Sequence, residues 1–183
     1  MQNNQSNESI TATKAWVSKV IVKYNICTFA RAEVEKCSVR YIKTAQRLPA
    51  EVVHALLSEF HYLDNHSEVE TTLFIIEEGF GGFYLFLDLV DMANALIDMQ
   101  GYEGIYQLAS FHPDYCFSGE VQSDASNYTN RSPYPTLHII RESTMEAAIA
   151  SHPDADAIPS RNIAFCRKKG NEFFAELLAS CMK

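Results

Sequence analysis

The side chains with the greatest chemical reach in this sequence are two histidines and an arginine, His112, Arg131 and His138, set around a run of asparagine, serine and tyrosine. Histidine titrates near neutral pH and can give or take a proton, so His112 and His138 are candidate acid/base groups, with Asp114 or Asp124 able to orient them. Arg131 carries a planar guanidinium that grips a carboxylate or phosphate through two parallel hydrogen bonds, and Asn127, Asn130 and Ser132 beside it would add neutral polar contacts. Together they point to an anion-binding pocket in which His112, Asp124 and His138 are catalytic and Asn127, Asn130, Arg131 and Ser132 hold the substrate. The same residues allow a plainer account. Asn and Asp side chains commonly close turns, and Arg131 could bond backbone carbonyls or pair with nearby carboxylates.

Other candidates carry weaker patterns. His138 and Glu142 fall on one face of a strand with Ile140, and an acidic neighbour could complete a metal shell there. No His-x-x-x-His or paired-cysteine signature supports this, so the reading has no metal and no cofactor. Cys27 could act as a nucleophile beside a cation, whereas a lone cysteine in an apolar run is otherwise a core residue. Gly79, Gly81 and Gly82 lack the Walker lysine and the dinucleotide pattern and read as a turn.

The elements that must position these groups follow from periodicity. Met1 to Thr11 is rich in Asn, Gln and Ser and reads as a disordered tail, leaving 12–183 as a single α/β domain. Helical spacing of Trp16, Val17, Val20, Ile21 and Tyr24 predicts a helix over 12–24, and alternation predicts a strand over 39–45. Pro49 opens a helix running to Asp64, and 70–77 is a strand apolar on both faces. A helix over 83–99 ends at Gly101, a third strand spans 102–111, and a fourth spans 136–142. Ser143 and Glu146 stand at capping-box spacing for a helix ended by Pro153, and the last segment is helical twice, broken at Gly170. Strands separated by helices imply parallel neighbours, so the fold expected is a small mixed sheet of about four strands with helices on one or both faces. The segment between strands three and four, too long for an ordinary connection and too rich in Tyr and Pro for disorder, reads as a built site. If the sheet is parallel there, it lies beyond a carboxyl end, where such sheets bind ligands.

The net charge of −8 disfavours nucleic-acid or anionic-membrane partners. Between Arg47 and Arg131 there is no Lys or Arg at all, against 14 Asp and Glu, which makes Arg131 the first cation after a long gap. Five cysteines in no paired spacing suggest free thiols, and with no apolar run of membrane length the expected location is cytoplasmic.

Phe111-His112-Pro113 with Tyr115, the run Asn127 to Pro135, and Leu137-His138 with Arg141-Glu142 together resemble an uncharacterised bacterial family, domain of unknown function 1415. The likeness extends to Trp16, the segment Cys27 to Ala30, Glu70 to Leu73, and Ile158-Pro159 with Asn162-Ile163. This chain has Thr28 where the family motif reads Cys-Pro-Phe-Ala, and Cys116 where the family has glutamine. The resemblance implies no reaction. Two readings remain: an enzyme acting on a small anionic metabolite by acid/base hydrolysis or group transfer, or a non-catalytic ligand-binding or homo-oligomeric assembly module with Tyr115, Tyr128 and Tyr134 at an interface.

Overall fold

Thr71 to Ile76, the stretch apolar on both faces, forms strand β2, and all six of its residues are buried. It lies inside a four-stranded mixed sheet ordered β1-β2-β4-β3, with β1 at Val39–Thr44, β3 at Tyr106–Phe111 and β4 at Thr136–Arg141. β1 and β2 are parallel, while β4 runs antiparallel to both β2 and β3. The computed structural model describes residues 7–151 and 154–183. Among these the helices are α1 (Glu8–Trp16), α2 (Ala30–Glu35), α3 (Pro49–Asn65), α4 (Phe83–Gln100), α5 (Glu142–Ala150), α6 (Ile158–Lys169) and α7 (Asn171–Ala179), and α1 continues as π-helical turns over Val17–Val22. The small mixed α/β fold expected from the sequence is thus the fold observed.

Strand alternation splits the sheet into two chemically different faces. Ile42, Phe74, Ile76, Leu108, Leu137 and Ile139 meet Val52, Leu56, Phe60 and Leu63 of α3 and Phe86, Leu89 and Ala93 of α4 in one filled core. Each large apolar side chain buried here contributes roughly 1.5–3 kcal/mol. The opposite face carries Val39, Tyr41, Leu73 and Phe111 against Trp16, Val17, Val20 and Ile21, with Cys166 of α6 and Phe174 of α7. The register sets His138 between Leu73 and Ala109 on this second face.

Element ends differ from the sequence reading where a backbone N–H is taken up elsewhere. Gly101 caps α4 at φ 73°, and the Tyr102 N–H turns back to the Ile97 carbonyl, so β3 begins at Tyr106. β4 passes directly into α5 at Glu142, whose N–H donates to Ile105 O, which places Ser143 inside the helix rather than at its cap. Pro153 lies outside the described residues. So does most of the expected tail, yet α1 starts at Glu8: Ser9 is buried, its hydroxyl donates to Glu77 Oε1 at 2.7 Å, and Thr13 donates to Ser9 O.

Candidate functional site

The segment between β3 and β4 is closed by its own side chains. The buried Arg131 donates from Nε to Tyr115 O at 3.1 Å and from Nη2 to Gln122 O at 2.7 Å, with its guanidinium 4.6 Å from the centre of the Tyr128 ring. Asn127 accepts from Phe117 N and donates to Val121 O, and the Ser132 hydroxyl donates to Tyr134 O. Asn130 donates to Ser110 O, tying the segment to β3. Asp124 accepts from Ser126 N at the head of a 3-10 turn (Ala125–Thr129) and pairs with Arg167 of α6, which also holds Glu120. The Arg167 guanidinium keeps the Asp124 carboxyl well below the usual carboxylate range. Of the loop tyrosines, Tyr128 is buried on Phe174, and Tyr115 packs between Phe83 and Phe117.

His112 belongs to this same closure. Its Nε2–H donates to Phe80 O and its Nδ1 accepts from Asp114 N, both at 3.0 Å, between the rings of Phe83 and Phe86. Burial pushes its pKa down. With both nitrogens bonded to backbone and the ring fully buried, His112 holds the corner after β3 and has no nitrogen free for proton transfer. The structure therefore does not assemble the expected constellation: Arg131, His112 and Asp124 each answer to different partners.

His138 stands apart, on the second face of the sheet, at the floor of a cavity of about 620 Å³. Leu73, Ala109, Phe111 and Ile140 surround it on the sheet, and Trp16, Val17 and Ile21 form one wall. α2 supplies Ala30 and Val34, α5 supplies Met145 and Ala148, and α6 supplies Ile158 and Ile163. From the loop come Phe117, Thr129 and Asn130, so the segment that closes on itself also closes the cavity. Most of the surface is apolar, and among the described residues no Lys or Arg lines it.

The state of the His138 ring follows from its neighbour. Thr71 Oγ1 lies 2.6 Å from Ile139 O and 2.5 Å from His138 Nε2. A carbonyl can only accept, so the single hydroxyl proton goes to Ile139 O, and Nε2–H must donate to the hydroxyl oxygen. Nδ1 is left as an open acceptor with no partner among the described residues. Enclosure in protein pushes the His138 pKa down to about 4, so the ring is neutral at physiological pH, with a partly exposed edge.

Sequence reasoning named His138 but missed its setting, above all Thr71 and Glu70. Glu70 Oε2 accepts from Thr144 Oγ1 at 2.6 Å at the cavity edge. Their signal was the polar run Glu70-Thr71-Thr72 heading an otherwise apolar strand; only strand pairing reveals that Thr71 faces His138. Cys27 also lines the cavity, half-buried. Among the described residues no three of His, Cys, Asp and Glu gather where they could hold a metal ion, and no helix is long and apolar enough to cross a membrane. No curated protein and no solved structure matches the chain. The family whose likeness the cavity segments carry does match, over residues 8–176, and the chain belongs to it: the family described as "Protein of unknown function (DUF1415)".

Proposed function

We propose that this chain binds a mainly apolar small molecule in the cavity, with Nδ1 of His138 accepting a hydrogen bond from the ligand's polar end. The open nitrogen at the floor of an apolar hollow carries the reading: it has no partner among the described residues, and a ligand donor would supply the hydrogen bond that the wall does not. The cavity's volume lies within the range of ligand pockets, roughly 300–1,000 Å³. Segments scattered along the chain that carry the family likeness, namely Trp16, Cys27 to Ala30, Glu70-Thr71, His138, Ile158-Pro159 and Asn162-Ile163, all contribute to its lining, with Thr28 excepted. Since no Lys or Arg among the described residues lines it, we read the ligand as non-anionic, in place of the anionic metabolite suggested by Arg131. Five unpaired thiols favour a reducing, cytoplasmic setting for this activity.

Acid/base catalysis through the same nitrogen is the second reading, favoured by its place in a mainly apolar hollow. A base of pKa about 4 is weak, and its rate would fall on an acid limb near that value rather than near 6.5.

Titration with the neutral dye Nile red tests the binding reading. The dye should bind at one site with blue-shifted emission, and Ala109→Phe, which fills the floor beside His138, should weaken it about tenfold or more, a difference of about 1.4 kcal/mol. No saturable binding, or binding indifferent to Ala109→Phe, would overturn it.

A further inference from the structure

We infer that the molecule bound in this cavity carries a positively charged nitrogen, a protonated amine or amidine, which Glu70 receives. This rests on the cavity being a binding site and goes beyond it by naming the class of ligand.

The argument is an account of donors and acceptors in the wall. The hydroxyl protons of Thr71, Thr129 and Thr144 go to Ile139 O, Ser126 O and Glu70 Oε2 respectively. The Asn130 and Asn162 amides donate to Ser110 O and Ile26 O. These groups are taken up by the wall itself. Two acceptors remain open, Nδ1 of His138 and the second oxygen of Glu70, neither with a partner among the described residues, and among the donors the Trp16 indole N–H is also unpaired. A ligand that satisfies these two acceptors must bring donors.

The charges point the same way. Among the described residues three carboxylates line the cavity, and two of them already have a cation: Glu33 pairs with Lys36 at 3.0 Å, and Glu120 pairs with Arg167 at 2.9 Å. Glu70 makes no ion pair among the described residues and is held in place only by the Thr144 hydroxyl. It precedes Thr71, the partner of His138, and Glu70, Thr71, His138 and Thr144 all line the cavity. An apolar hollow with an unpaired carboxylate at its edge and no cation in its lining attracts a cation and repels an anion, and the attraction is stronger in this low-dielectric setting than in water.

The test uses three molecules with the same apolar body, octylamine, octanol and octanoate, each competed against bound Nile red at physiological ionic strength. Octylamine should displace the dye at about tenfold lower concentration than octanol, and octanoate should be the weakest. Glu70→Gln should bring octylamine to the level of octanol. Thr144→Val, which removes only the hydroxyl holding Glu70, should reduce the amine's advantage without abolishing it. Equal displacement by all three, or stronger displacement by octanoate, overturns the inference while leaving the cavity reading intact. Failure of the dye to bind at all sinks the cavity reading instead. An amine preference that persists unchanged in Glu70→Gln would trace to the overall charge of −8 and would also overturn the assignment to Glu70.

Discussion

The two histidines flanking the long loop look alike in sequence and do opposite things, and the difference lies in the backbone near each Nδ1. At His112 the chain turns so that the N–H of Asp114 meets that nitrogen, whereas at His138, in mid-strand, neighbouring N–H groups belong to the ladder and Nδ1 faces the hollow. Histidine type and loop position were legible; which nitrogen is left open was not, because it depends on Thr71, 67 residues away. The burial of His138 makes stability pH-dependent. Unfolded, the ring takes a proton near 6.5; folded, it does so only at about 4, so between these values the unfolded chain holds more protons. The contribution is full above 6.5 and declines as pH falls towards 4, by roughly 3 kcal/mol for a ring with no water access and less for one with an exposed edge. Urea midpoints measured between about pH 7 and pH 4.5 should fall less steeply in His138→Gln, leaving a residual slope of the same sign from His112. Identical slopes in the two proteins would contradict a neutral, buried His138. Arg131 gives a second residue-scale expectation. Lysine keeps the charge but cannot reach Tyr115 O and Gln122 O together while lying over Tyr128, so Arg131→Lys should lower stability by about 1–3 kcal/mol in ligand-free buffer. Sulfate titration should not distinguish the two proteins; an unchanged melting temperature would show that the carbonyl bonds contribute nothing.

Elements with strong periodicity, the helix over Pro49–Asn65 and the strand over Thr71–Ile76, were readable because their burial follows their own pattern. Short or polar elements were not. α2 spans six residues with none fully buried, and the polar start of α1 is secured by Ser9 reaching Glu77 across 68 positions. Thr28, just before α2, buries its hydroxyl with no hydrogen-bond partner, at the place where the family motif carries proline. No hydrogen bond from the Thr28 N–H is present among the described residues, so Thr28→Pro should remove an unsatisfied group and stiffen the unfolded chain, raising stability by about 1 kcal/mol. A drop in melting temperature would mean that the local backbone cannot take proline's φ. The loop is anchored to α6 through Arg167, which receives Asp124 and Glu120 on an exposed surface. Arg167→Ala should speed amide exchange over residues 116–124, more at low salt than at high, because exposed pairs are screened. Exchange that stays unchanged in that segment would leave Asn127 and Arg131 as its sufficient anchors.

At the scale of the whole molecule the sheet divides a filled half from a hollow one. α3 and α4 seal their face with Val52, Leu56, Phe60, Phe86 and Leu89, each essentially without solvent exposure. The other face leaves about 620 Å³ unfilled, roofed in part by α2 and α5, neither of which has a fully buried residue. This division was invisible in the sequence, since apolar counts on the two faces are similar and only the closeness of the covering elements distinguishes a core from a pocket. It predicts two grades of stability. Amides of α3 and α4 should exchange only through global unfolding, while those of α2 and α5 open locally, because little apolar area holds them down. A ligand that fills the hollow adds that missing area and binds only the closed form, so it should stabilise by RT ln(1 + [L]/Kd) and do so where closure was weakest. Hydrogen exchange with and without saturating Nile red should therefore show slowing concentrated in Ala30–Glu35 and Glu142–Ala150, both of which line the cavity, with α3 and α4 slowed only to the extent that global stability rises. Slowing confined to α3 and α4, or spread evenly over the chain, would place the dye somewhere other than the space above His138.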